Sequence, residues 1–148
     1  MINLEKYEAY VRSLGERVAN IKRVEPGTFD TDMASIVQGL GANDLPCLFF
    51  IIPNSQGQSA DVDNIEEDNL CVLLLVDKTD PQRGKKSYTV QKNLQPVMEE
   101  IKQTILSDKT SGCGLMESLD LRSMSTVAES GVFNVLAGWS LAFQVSSE

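Results

Sequence analysis

The sequence predicts one α+β domain spanning residues 1–148, with helices packed on a mainly antiparallel sheet of about four strands. The first observation is a C-terminal segment in which apolar residues occupy every second position. This alternation is typical of a strand with one face on a core: Ala137, Trp139, Leu141, Phe143 and Val145. The second is that hairpin-like pairs of apolar segments flank a helical segment, which gives the order α-β-β-α-β-β.

The N-terminal segment predicts an amphipathic helix. Its apolar residues recur at spacings of three and four: Leu4, Tyr7, Val11, Leu14, Val18 and Ile21. Asn3 is a suitable N-cap, and Pro26-Gly27 is a stop signal. A coiled-coil seam would have the same spacing, but the stripe lasts fewer than three heptads, which favours packing on a sheet.

Two strands are predicted at Leu45–Ile52 and Asn69–Asp77, and both are apolar on both faces. The polar, acidic residues 54–68 between them are expected to form a long mobile loop. The two convincing helices can cover only one face of the sheet. The other face needs a short helix within Thr28–Asn43, starting at Asp30 or Thr31, or a long loop, or the surface of another subunit.

A second helix is predicted from the apolar spacing of Leu94, Val97, Met98, Ile101 and Ile105. Asn93 as N-cap would place Pro96 in the first turn, whereas a start near Thr89 would place Pro96 inside the helix and kink it. The third strand is expected over Leu119–Ala128. Gly138 interrupts the fourth and indicates either a bulge or a close approach of two backbones. The expected core includes Leu14, Val72, Leu74, Met98, Ile101, Trp139, Leu141 and Phe143.

Composition narrows the functional class. The chain has 148 residues, 42% of them hydrophobic and 23% charged, and a net charge of −8. So acidic a domain, without a basic stretch, is unsuited to bind nucleic acid or an anionic membrane. The longest apolar runs are too short to span a bilayer, and no signal-peptide pattern is present, so the protein is not expected to be secreted. The three scattered cysteines predict free thiols in a reducing compartment.

The chain contains no histidine, which removes the commonest general base and the commonest metal ligand. Catalytic Ser-His-Asp and Cys-His arrangements and most zinc sites are therefore excluded. Cys113 lies between two glycines with only Lys109 nearby, and nothing in the sequence activates its thiol. We expect no catalytic residue, metal site or cofactor.

Residues 61–68 gather five carboxylates, including Asp61, Asp63, Glu66 and Glu67. A calcium loop needs oxygen ligands at alternating positions, a glycine sixth and an acid twelfth. Counting from Asp61, the fifth position is Ile65 and the twelfth is Val72, so the pattern does not match. A solvated acidic loop is the simpler interpretation.

Residues 78–87 form a charged turn where a phosphate-binding loop would lie, but Thr79 and Lys86 occupy positions that the motif reserves for Gly and Ser or Thr. The cations of this turn instead predict a small basic knob: Lys78, Arg83, Lys85 and Lys86. It is either a solvated turn or one half of an interface. In the second case the acidic residues 61–68 of a neighbouring copy would be the other half.

The order of elements, with Phe133-Asn134-Val135-Leu136-Ala137-Gly138-Trp139 before an alternating last strand, resembles phage tail terminator and tail-completion proteins and related prophage neck proteins. The resemblance implies a ring, often a hexamer, that caps the tail tube and joins it to the head connector. It also implies assembly in the bacterial cytoplasm, a final place in the virion tail and no catalytic residues. Acidic residues lining such a ring would suit a channel through which DNA slides.

Two other functions compete with this interpretation. A cytosolic α+β binding module would use an exposed apolar sheet face and would be a monomer or dimer. An enzyme would use carboxylates such as Asp30, Asp32 or Asp77, held close together with their pKa values pushed apart. Nothing in the sequence spacing favours the enzyme.

Overall fold

A computed structural model gives the fold and describes residues 1–28, 31–57, 62, 66–112 and 114–147. Within these residues the fold contains three α-helices and six strands, which confirms the α+β class and corrects the number of strands from four to six. In chain order they are α1 (Leu4–Arg17), β1 (Arg23–Gly27), α2 (Thr31–Gly39), β2 (Cys47–Ile51), β3 (Asn54–Gly57), β4 (Glu67–Lys78), α3 (Ser87–Thr110), β5 (Leu119–Val132) and β6 (Leu136–Ser147).

The strands form one mixed sheet in the order β1-β2-β4-β6-β5, with β3 also paired to β4. Only the β1–β2 pair is parallel; the other pairs are antiparallel. The two additional strands, β1 and β3, lack an apolar alternation. β1 contains the Pro26-Gly27 stop signal, which an edge strand tolerates because one side of its backbone needs no partner. β3 lies within the predicted loop and is short, polar and exposed.

Helix α1 begins as the sequence indicates, since Asn3 Oδ1 accepts a hydrogen bond from the amide of Lys6 at 3.0 Å. It ends at Arg17, before the end of the predicted stripe. Val18 is buried and Ile21 packs against the core, although both residues follow the end of the helix. The apolar spacing therefore continues beyond the helix itself. Leu4, the first residue of the stripe, is 50% exposed.

Helix α3 starts at Ser87, which rules out Asn93 as the N-cap and places Pro96 inside the helix. The added turns are stabilised by burial of Val90 and Leu94 against the sheet. Tertiary packing therefore determined the helix start more strongly than the local proline signal.

The sheet separates two apolar clusters. The larger one lies between the sheet and helices α1 and α3. The smaller one lies on the opposite face, where Val37 and Leu40 of the α2 region cover Phe49, Leu74 and Val76. The short helix expected within Thr28–Asn43 is thus present and covers one end of this second face. Elsewhere on that face, Leu70 and Val127 remain exposed.

Seven of the eight predicted core residues pack in or against these clusters. Leu14, Met98, Ile101, Leu141 and Phe143 are buried in the larger cluster, and Leu74 is buried in the smaller one. Trp139 is half-buried against the larger cluster, and its Nε1 donates to the carbonyl of Gln91 at 2.8 Å. Val72 is only half-buried, because it lies on the second face beyond the part that α2 covers.

Strand β6 confirms the predicted alternation and explains Gly138. Its alternate residues Leu141, Phe143 and Val145 are buried on the helix side of the sheet. A β-carbon at Gly138 would lie 2.9 Å from the carbonyl carbon of Leu75 and 3.0 Å from Cα of Val76. Glycine is therefore required because β4 approaches β6 closely at this point.

Candidate assembly surfaces

The structure separates the residues that the sequence assigned to an interface. Asp61 and Asp63 lie outside the described residues. Glu66 and Glu67 lie at the start of β4, where the Glu67 carboxylate pairs with the α-amino group of Met1. The cations follow the other end of the same strand. Glu66 and Glu67 thus lie at the opposite end of β4 from the basic knob and cannot pair with it within one copy.

Two cations of the basic knob have structural roles. Lys78 is partly buried, and its Nζ donates to the carbonyl of Leu40 just beyond the C-terminus of α2. Lys85 pairs with Asp77 at 3.3 Å. These contacts hold the turn in place. The solvent-facing positive charge of the knob therefore comes from its other residues.

The outward part of the knob consists of Arg83, Lys86 and Tyr88. The Arg83 side chain is 87% exposed and lies 3.6 Å from Asp80, a distance at which an exposed pair contributes little. Lys86 is exposed at the start of α3. Tyr88 follows with 72% of its surface exposed. An exposed aromatic beside two cations is typical of protein contact surfaces, where Tyr and Arg are enriched.

An apolar groove of about 330 Å³ lies between the start of α1 and the ends of β1 and β2. Its floor and walls include Phe50 and Pro26, together with Leu4 and Ile52, of which Ile52 is 57% exposed. Two carboxylates, Glu5 and Glu8, lie on the α1 side of the groove. The sequence did not reveal this groove because its residues come from separate segments of the chain. The local pattern that it left was an apolar residue, Leu4, followed by the acids Glu5 and Glu8.

The two edges of the sheet differ in how their backbone is protected. At the β1 edge, Arg12 Nη1 donates to the carbonyl of Val24 at 3.0 Å, and Pro26 has no N–H to offer. The other edge is the 14-residue strand β5, which has no lysine or proline. Its pairing with β6 shifts register between Asp120 and Ser125 and again between Glu129 and Val132, so the regular part of this edge that is open to another strand is Ser125–Glu129.

The hydrogen bonds of β6 show which backbone groups of β5 face outward. The amide of Gln144 donates to Ser123 Oγ at 2.7 Å, toward β5. The carbonyl of Val145 accepts from Asn69 Nδ2 at 2.9 Å, toward β4. Even-numbered residues of β6 therefore direct their backbone groups at β5, and odd-numbered ones at β4.

This parity identifies the outward positions of β5. Val127 pairs with Ser140, so the backbone of Val127 is directed at β6. The neighbouring residues Thr126 and Ala128 therefore direct their N–H and C=O groups away from the sheet. Ala128 is exposed, which makes it a position where the edge can be altered without removing buried contacts.

The turn before β6 explains the aromatic-Asn segment. Phe133 and Asn134 have positive φ values of 48° and 67°, and the Asn134 amide donates to the carbonyl of Gly131 at 3.1 Å. Asparagine tolerates this region, whereas a bulky residue such as Phe is strained there. Phe133 packs against the smaller core cluster, which offsets the strain.

The described cysteines are buried, Cys71 in the larger core cluster and Cys47 in the smaller one. Burial raises the pKa of Cys47 and of Cys71 to about 12, so both thiols stay protonated near neutral pH. Asp77 pairs with Lys85, and Asp32 falls within α2. Cys113 and Asp30 lie outside the described residues. Within the described ranges no three Cys, Asp or Glu residues are grouped to hold a metal ion.

No protein-family model matches the sequence, and no curated protein is significantly similar to it. None of the helices in the described part of the chain is long and apolar enough to cross a membrane.

Proposed function

We propose that this chain is a structural phage or prophage protein that caps the tail tube and joins it to the head connector as a ring oligomer. Its partners would be further copies of itself, in a hexamer, together with the tail-tube and head-connector proteins. It would act in the bacterial cytoplasm during assembly and then in the virion tail. No catalytic step, cofactor or sequence-specific contact with nucleic acid is part of this function.

The observation that carries the proposal is the open edge of β5. The regular stretch of this edge, Ser125–Glu129, has outward backbone groups at Thr126 and Ala128 and is suited to accept a strand from another protein. Exposed Val127 adds apolar surface on one side of that edge. Such strand addition gives the extended contacts that a capping protein needs with the end of a tube.

The experiment mixes the purified protein with the tail-tube protein of the same phage or prophage genome and measures tube length by electron microscopy. Wild type is expected to shorten the tubes and to sit at one end. Ala128→Pro removes an outward N–H, so it should abolish capping while leaving the β5–β6 ladder intact. Ala128→Ser keeps the N–H and should cap normally. Tubes of unchanged length at every ratio of wild-type protein would refute the proposal.

The alternative is a binding module that uses the second sheet face. The observation in its favour is the part of that face beyond α2, where Leu70 and Val127 are exposed and Val72 is half-buried. This function would require a monomer or dimer that binds an apolar ligand or peptide. Replacement of Leu70 by Asp would then abolish ligand binding and leave tube length unaffected.

A further inference from the structure

The groove and the outward part of the knob lie apart along β4. The groove adjoins the end of β2, where Phe50 pairs with Leu73, and the knob begins after Lys78. The rise from Leu73 to Lys78 is about 17 Å, roughly twice the Debye length at physiological salt. The groove and the outward part of the knob therefore cannot contact each other within one copy, and each is available to a second copy of the chain.

The two surfaces are complementary in chemistry. The outward part of the knob presents an exposed aromatic ring, Tyr88, on the first turn of α3, two residues after Lys86 and five after Arg83 in the chain. The groove presents an apolar floor flanked by the carboxylates Glu5 and Glu8. Tyrosine suits such a site because its ring can be buried while its hydroxyl stays in contact with water.

We propose that Tyr88 of one copy docks into the apolar groove of the next copy, with Arg83 and Lys86 facing Glu5 and Glu8. Glu8 also pairs with Arg12 along α1 at 3.0 Å, so Glu5, which forms no ion pair with a described residue, is the principal acceptor. The contact joins two different surfaces and is therefore heterologous, which generates a closed ring if the rotation between copies closes. This contact rests on the proposed function, because both require copies of the chain to assemble. The contact does not use the β5 edge, which stays free for the tail tube.

The test measures self-association by sedimentation, up to about 1 mM protein. Tyr88→Ala removes an exposed ring, so the fold should persist while the association constant falls at least about tenfold. The double variant Arg83→Glu/Lys86→Glu should weaken association similarly. A matched control, Lys22→Glu/Arg122→Glu, changes the net charge equally at exposed positions outside the knob and the groove and should not alter association.

Reciprocal charge reversal gives the decisive result. The variant Glu5→Lys/Glu8→Lys should not self-associate, but mixing it with Arg83→Glu/Lys86→Glu should restore association between the two variants. A monomeric wild type up to the highest concentration, or association that Tyr88→Ala leaves unchanged, would overturn the inference. If Ala128→Pro alone abolishes tube capping while the knob variants associate and cap normally, the proposed function stands and this contact is wrong.

Discussion

The substitution Gly138→Ala is expected to be among the most destabilising single-methyl changes in this chain. The added β-carbon would lie 2.9 Å from the carbonyl carbon of Leu75 and 3.0 Å from Cα of Val76, and still closer to the Leu75 oxygen. Favourable carbon contacts begin near 3.5 Å, so two backbone atoms overlap by about 0.5 Å each. Backbone in the middle of a sheet cannot rotate aside as a side chain can.

The magnitude follows from these contacts. Overpacking typically costs about 1–3 kcal/mol, and an obstacle made of backbone places this site at the upper end. Separating β4 from β6 would also weaken neighbouring ladder hydrogen bonds, each contributing about 1 kcal/mol. We therefore expect a loss of about 3–5 kcal/mol, a large part of the 5–15 kcal/mol that such domains possess.

Urea unfolding followed by far-UV circular dichroism measures this loss. The matched control is Gly39→Ala, because a β-carbon there meets no atom within 4 Å. Since Gly39 ends helix α2, alanine should leave stability unchanged or raise it by up to about 1 kcal/mol. A Gly138→Ala protein within about 0.5 kcal/mol of wild type would show that the close approach of β4 and β6 is not real.

Three further predictions follow from the buried and paired groups. Hydrogen bonds from Arg17 hold the pKa of Asp108 below its usual range. This pair therefore stabilises the fold above about pH 4, and its contribution is lost as pH falls. In urea titrations below pH 5, Asp108→Asn should lose less stability on acidification than the wild type. Asn69→Ala should cost about 2–3 kcal/mol by chemical denaturation, because the fully buried Asn69 amide bonds to both Ile2 and Val145. In a variant that lacks Cys113, the buried thiols of Cys47 and Cys71 should react slowly with a thiol reagent at pH 8 in the folded protein, and both should react in urea. Fast labelling of the folded protein would contradict their burial.

The sequence predicted best those elements whose burial repeats at a regular period. The β6 strand could be recognised because Leu141, Phe143 and Val145 alternate with polar residues. β1 could not, because its stability comes from parallel pairing with β2 and from contact with α1, neither of which leaves a local pattern. A β-carbon at Gly15 of α1 would clash with Val24, so this glycine permits the contact, yet its role is invisible in the sequence.

The candidate surfaces divide in the same way. The basic knob was visible because Arg83, Lys85 and Lys86 are neighbours in the chain. The sequence could not show that Lys85 and Lys78 bind within the domain, since their partners lie in β4 and beyond α2. The groove and the outward groups of β5 depend on tertiary structure and register, and these become known only once the sheet is assembled.

The place of β4 at the centre of the sheet has a consequence for synthesis of the chain. β4 pairs along its full length with β6, and about 60 residues separate Lys78 from its partner Leu136. At about 5–20 residues per second, a ribosome needs roughly 3–12 s to add that segment. During this interval the edge of β4 that later pairs with β6 has no partner. The strand is also apolar on both faces, as Leu73 and Leu74 show. We therefore expect chaperones to protect this edge during synthesis, and a host with weakened chaperones should yield a larger aggregated fraction of the protein.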